Sequence, residues 1–226
     1  AEGGEESRLL APRLRLFTDV FVGDHLYALL ELRGDRGDQP RPGAWDARME
    51  QAFVRVGTSS GTLSIQAGRF ASRFGGYPGR HLTPVDPFVR PPLVYDDRTV
   101  MCAGIAPGST AGFLTWRDRP DEFRDVGSPP IWGVPYQWGA MVSGARGALG
   151  YRIALMNSAP SSAPAAWGWS AERMRHPSLV AGITASLTPE LAVAASYDRG
   201  PWLEEPTRGT FPAGTDRWDY LQTLVS

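Results

Sequence analysis

The chain has 226 residues, 42% hydrophobic and 11% aromatic, enough to form ordered structure and too apolar for a disordered chain. Its net charge of −1 gives no electrostatic reason to expect nucleic acid or an anionic membrane surface as a partner. No run approaches the roughly 18 apolar residues of a transmembrane helix, which excludes helical spans but not spanning strands of about 9–11 residues.

The polar opening, residues 1–12, reads as an extension left after removal of a leader peptide, and residues 13–226 read as strands. The first pair is RLRLFTDVFV (13–22) and HLYALLELRG (25–34), joined by Gly23 and Asp24, a tight hairpin signal. The second is ARMEQAFVRV (47–56) and TLSIQAGRF (62–70), joined through Ser59, Ser60 and Gly61. A third pair is expected at TVMCAGIA (99–106) and AGFLTW (111–116), around Pro107 and Gly108. The fourth is YQWGAMVSGAR (136–146) and LGYRIALMN (149–157), turning at Gly147. The fifth is SLVAGITASL (178–187) and LAVAASYD (191–198), joined by Thr188, Pro189 and Glu190. An eleventh, partial strand starts near Arg217.

Short turns alternate with long connections, roughly 35–46, 71–98, 117–135, 158–177 and 199–216. A membrane barrel accounts for that rhythm, with short turns on one side and long loops on the other. The expected fold is therefore all-β: an antiparallel up-and-down transmembrane β-barrel, or meander, of about ten complete strands plus a partial one.

Alternation divides each strand into two faces. Leu14, Leu16, Thr18, Val20 and Val22 oppose Arg13, Arg15, Phe17, Asp19 and Phe21. Leu26, Ala28, Leu30 and Leu32 oppose His25, Tyr27, Glu31 and Arg33, while Leu63, Ile65 and Ala67 oppose Ser64, Gln66 and Gly68. Tyr151, Ile153 and Leu155 oppose Arg152. A soluble antiparallel sheet would show the same pattern. The barrel is favoured because no amphipathic helix is available to cover the apolar face, and because that face uses many small residues. Arg13, Arg15, Asp19, Glu31, Arg33, Gln66 and Arg152 are then the expected pore lining. The strand at 47–56 is in conflict: placing Val54 and Val56 on the apolar face drags Glu50 with them, unless a bulge intervenes. Phe70, Phe74, Trp116, Trp132, Tyr136, Trp138, Tyr197, Trp202, Trp218 and Tyr220, near strand ends, suggest an interfacial girdle.

No catalytic signature is present, neither GxSxG, HExxH nor a phosphate-binding glycine loop. The single cysteine, Cys102, cannot form an internal disulfide and reads as a small buried apolar residue. His25, His81 and His176 show no nucleophile partner. No enzyme activity, metal or cofactor is expected. All 23 basic residues are arginine, whose fork suits a polar lumen.

Residues 62–99 read TLSIQAGRFASRFGGYPGRHLTPVDPFVRPPLVYDDRT. This resembles a strand-then-loop pattern in porin-like outer-membrane proteins of Gram-negative bacteria. The matching residues are Gln66, Gly68, Arg69, Phe70, Gly75, Arg80, His81, Asp86, Pro87, Pro92, Leu93, Tyr95, Asp96 and Thr99. The segment SLTPELAVAASYDRG (186–200) is similar to a periplasmic turn and strand of the same class. The resemblance implies a bacterial outer-membrane location, lipid as surroundings and small polar solutes as cargo; a homo-oligomer is compatible with that class. Such barrels usually end on an aromatic residue, whereas this chain stops at Leu224, Val225 and Ser226, inside an odd-numbered strand. The expectation is an N-terminal portion of a longer protein.

The long segment after residue 70 is expected to fold into the lumen and narrow it. Its constriction candidates are Arg69, Arg73, Arg80, His81, Arg90, Tyr95 and Arg98, with Asp86, Asp96 and Asp97. Arginine outnumbers aspartate there, so a mild anion preference follows. Two other readings remain: a plugged barrel acting as an anchor or adhesin through its loops, and a soluble carbohydrate-binding β-sandwich with Trp167 and Trp169 as sugar platforms.

Overall fold

The computed structural model describes residues 14–35, 45–76, 92–96, 99, 103–104, 108–114, 129–205 and 211–226. Nine strands form one antiparallel sheet whose spatial order is the chain order. They are β1 (Leu14–Val22), β2 (Leu26–Asp35), β3 (Asp46–Gly57), β4 (Ser64–Ala71), β5 (Tyr136–Arg146), β6 (Leu149–Met156), β7 (Ser178–Ser186), β8 (Ala192–Pro201) and β9 (Leu221–Val225). The sheet is not closed: among the described residues β1 and β9 each pair on one side only.

Among the described residues of 99–116 no strand forms, so the expected hairpin is not found there. Thr110–Leu114 is a short helix (α2), Ala103 and Gly104 form a turn, and β4 pairs directly with β5. The reason is local. The Ser109 hydroxyl oxygen accepts the Gly112 N–H at 3.0 Å, a helix start that outweighs two turns of apolar alternation. The final strand also begins later than expected, because Asp216 caps a 3₁₀ turn over Arg217–Asp219.

Nine strands leave eight connections, and these alternate strictly. Residues 23–25, 58–63, 147–148 and 187–191 are short; residues 36–45, 72–135, 157–177 and 202–220 are long. In an up-and-down sheet this puts every long connection at one end. At the other end Gly23 turns the first hairpin at φ 57°, which a side chain would strain.

A bulge resolves the conflict in β3. Glu31 pairs with Gln51 and Leu32 with Met49, so Glu50 is an extra residue. Val54 and Val56 thus stay in the row of Leu26 and Ala28. Glu50 is only 3% exposed, amid arginines.

The two faces of the sheet differ sharply. On one, Leu16, Ile65, Ile153 and Ile183 are each more than half exposed, and nothing described covers them. On the other, Phe53, Phe70, Met141, Met156 and Val180 pack with Phe74, Tyr95 and Ile131 of the 72–135 connection. This cluster also takes Tyr27 and Leu29 from β2 and Leu224 from β9, so the sheet curves around the insert. Burial of each large apolar side chain contributes about 1.5–3 kcal/mol. The insert is fastened as well as packed. Ser72 N–H donates to the Pro135 carbonyl at 2.8 Å, and the Gln222 amide donates to the Pro130 carbonyl at 3.0 Å. The short helix α1 (Leu93–Asp96) carries Tyr95 into the cluster.

The long connections meet one another through Ala103, Ala159, Trp202 and Leu203. Four expected girdle residues are therefore core instead: Phe70, Phe74, Tyr136 and Trp202 are all buried. Trp138 remains in the exposed row, edge-on to Trp169 of the 157–177 connection at 5.7 Å.

Candidate functional site

The inner, insert-bearing face carries two groups of charges at opposite ends. At the long-loop end of β1–β3, arginines and carboxylates are interleaved. Arg15 donates to Glu31, which also accepts the Gln51 amide at 2.7 Å. Arg33 pairs with Asp35, and its other arm lies 3.7 Å from Glu50. Arg48 reaches Asp35 at 3.0 Å and Glu50 at 2.8 Å. Alternation puts these residues on one face, and the bulge at Glu50 brings the third carboxylate into the cluster. Glu31, Arg33, Asp35 and Glu50 are all nearly solvent-free. Burying such charges is tolerable only because each has a partner.

The short-turn end holds a cavity of about 860 Å³. Its lining includes Arg55, Arg73 and Arg152, with Tyr27, Ser64, Ser143 and Thr184. The Arg152 guanidinium crosses the sheet, donating to the Arg73 carbonyl at 2.8 Å and the Ser196 hydroxyl at 3.0 Å. A Cβ on Gly182 would come within 2.6 Å of it, so a side chain there would push the guanidinium out of this position. Arg55 sits over the Tyr27 ring at 4.8 Å, and the Tyr27 hydroxyl donates to Asp19 at 2.5 Å.

Desolvation within the curved sheet, then the charges of Arg152 and Arg55, pull the Arg73 guanidinium below its ordinary value, although its side chain still meets water.

Of the expected pore-lining residues, Arg15, Asp19, Glu31, Arg33, Gln66 and Arg152 all lie on the inner face; Arg13 lies outside the described residues. They do not form one group, since Arg15, Glu31 and Arg33 belong to the paired network and Arg152 to the cavity. Gln66 is 1% exposed, and among the described residues neither atom of its amide has a hydrogen-bond partner. Of the constriction candidates, Arg73 reaches the cavity. Tyr95 is core rather than lining. Arg69 belongs to β4, not to the insert, and pairs with Ala52 and Trp138 in the row of Ile65 and Ala67. Asp96 ends α1. Arg80, His81, Asp86, Arg90, Asp97 and Arg98 fall outside the described residues, as does Cys102.

Sequence reasoning missed Asp35, Arg48, Glu50, Gln51 and Arg55. The bulge hid the β3 residues, because no period-2 template fits across an extra residue. It also missed Asp198, buried and accepting the Ser178 hydroxyl at 3.0 Å, which alternation against Tyr197 would have placed inward.

A third charged cluster joins two long connections. Arg217 pairs with Glu172 at 2.9 Å and Glu205 at 2.6 Å and covers the Trp218 ring, which also stacks on His176. The hydrogen bond from Arg217 holds the Glu205 carboxyl below its ordinary range.

No protein-family model matches this chain, and neither does any curated protein. Among the described residues, no three His, Cys, Asp or Glu side chains are grouped to hold a metal ion.

Proposed function

We propose that the chain forms wall and constriction of a porin-like channel in a bacterial outer membrane, passing small polar solutes by diffusion with a mild preference for anions. The observation that carries this reading is the division of one curved sheet into two faces. One face shows a continuous row of bare aliphatic side chains; the other carries charge and holds an insert. Water makes such exposure costly over so wide a patch, whereas hydrocarbon makes it favourable. In a bilayer the unpaired edges of β1 and β9 would have to be satisfied, so the working form is a closed barrel. The strict alternation of short and long connections supports the same orientation as in known barrels, with long loops outward.

A sandwich reading is weaker, because it needs two facing sheets and the described strands make one. A plugged barrel serving as an anchor has one observation in its favour: Phe74, Tyr95 and Ile131 fill the centre of the inner face. Electrical recording separates the two membrane readings. Reconstituted into planar bilayers, a channel gives stepwise conductance with a reversal potential displaced toward that of the anion in a salt gradient. A plug gives none, and a cation preference would contradict the proposed selectivity.

A further inference from the structure

We propose that Arg55, Arg73 and Arg152 form a binding site for a small oxyanion, of the phosphate or carboxylate class, at the short-turn end of the inner face. Its role as a filter rests on the channel reading above; its existence does not.

Among the described residues none of the three guanidinium groups has a carboxylate within ion-pair distance, whereas Arg15, Arg33 and Arg48 on the same sheet all do. Asp19 is engaged by the Tyr27 hydroxyl, and Asp24, in the first hairpin turn, is the one acid among the lining residues. Three arginines against one aspartate line about 860 Å³, ample for a small anion that keeps some water.

The site is also built. Arg152 is fixed by two neutral acceptors, the Arg73 carbonyl and the Ser196 hydroxyl, which orient it without neutralising it. Gly182 leaves the space that this orientation requires. The same hydrogen bond ties the insert backbone at Arg73 to β6, so two of the three guanidinium groups come to one place through one contact. The Ser64 and Ser143 hydroxyls, 2.9 Å apart on the cavity wall, supply neutral donors. Planar N–H forks match the paired oxygens of a carboxylate or phosphate better than a spherical halide. An anion here would relieve the mutual repulsion of Arg73, Arg55 and Arg152.

The test is calorimetric titration of the full chain, folded in detergent micelles at low ionic strength, with inorganic phosphate. Saturable one-site binding is expected. Each guanidinium gives charge-assisted hydrogen bonds to the anion, so R152Q and R73Q should each weaken binding about tenfold or more. R146Q, at the exposed end of β5 outside the cavity lining, should leave it unchanged. Arg152 bridges strand and insert, so R152Q could disturb folding; R73Q removes a side chain with no described hydrogen bond and guards against that ambiguity. Absence of saturable binding, or wild-type affinity in folded R73Q, overturns the site. Bilayer conductance is read separately. Conductance without phosphate binding removes the site and keeps the channel; phosphate binding without conductance does the reverse.

Discussion

The two ends of the inner face use the same residue type in opposite ways. At the long-loop end of β1–β3, three arginines are locked to Glu31, Asp35 and Glu50. At the short-turn end, three arginines face a cavity and are held by neutral groups or left unheld. The first arrangement fixes structure, since a partnered buried charge resists movement and removal of its partner is severe. The second leaves positive potential in an open cavity, where it can act on a solute. Composition does not distinguish these roles; the neighbours do.

Substitutions at each end should therefore have different consequences. The largest loss of stability is expected from Glu31→Ala, which strands Arg15 and the Gln51 amide. Breaking a buried pair costs about 3–5 kcal/mol, readable as a lower denaturation midpoint in micelles. An equally mild effect at Glu31 and Arg73 would erase the contrast between the ends. Next comes Gly182→Ala. The added methyl must move the Arg152 guanidinium off its two hydrogen bonds, at about 0.5–1.5 kcal/mol for each bond lost, and anion preference in a salt gradient should fall with it. Unchanged selectivity would separate Arg152 from solute passage. Arg73→Gln should shift selectivity in the same direction with a stability change within about 0.5 kcal/mol, because its side chain holds nothing described.

The smallest effect concerns pH. Arg217 lowers the Glu205 pKa, so the ion pair is complete above the ordinary carboxylate range and weakens as pH falls through the lowered value. Glu205 is exposed, so the change should be local: a shift in Trp218 fluorescence below about pH 4, reduced in Glu205→Gln. A shift above pH 6 would point to a different group.

Much of this arrangement was legible in the sequence, and the failures have physical causes. Eight strands were readable because their apolar alternation runs eight residues or more and ends at turn residues, as in YQWGAMVSGAR followed by Gly147. The short segment AGFLTW was misread because six residues cannot separate strand from helix, and the Ser109 cap decided for helix. The β3 face was unreadable because Glu50 breaks the period. Aromatics near strand ends were assigned to the outside when Phe70, Phe74 and Tyr136 in fact fill the inside; sequence position gives a residue's height along a strand but not what lies across the sheet from it. For the site, alternation found Arg152 and the loop reading found Arg73. Arg55 needed the bulge to be known, and the grouping of the three needed the strands to be curved around the insert.

The claim beneath all of this is that the exposed aliphatic row meets lipid while the charged row meets water. Spin labels on single cysteines placed in turn at positions 151–155 of β6, with Cys102 replaced by serine, test it directly in reconstituted membranes. Labels at 151, 153 and 155 should be quenched by oxygen dissolved in the bilayer, and labels at 152 and 154 should be shielded from it, with a strict period of two. Water-borne nickel chelate reaching 151, 153 and 155 instead, or no alternation at all, would contradict it.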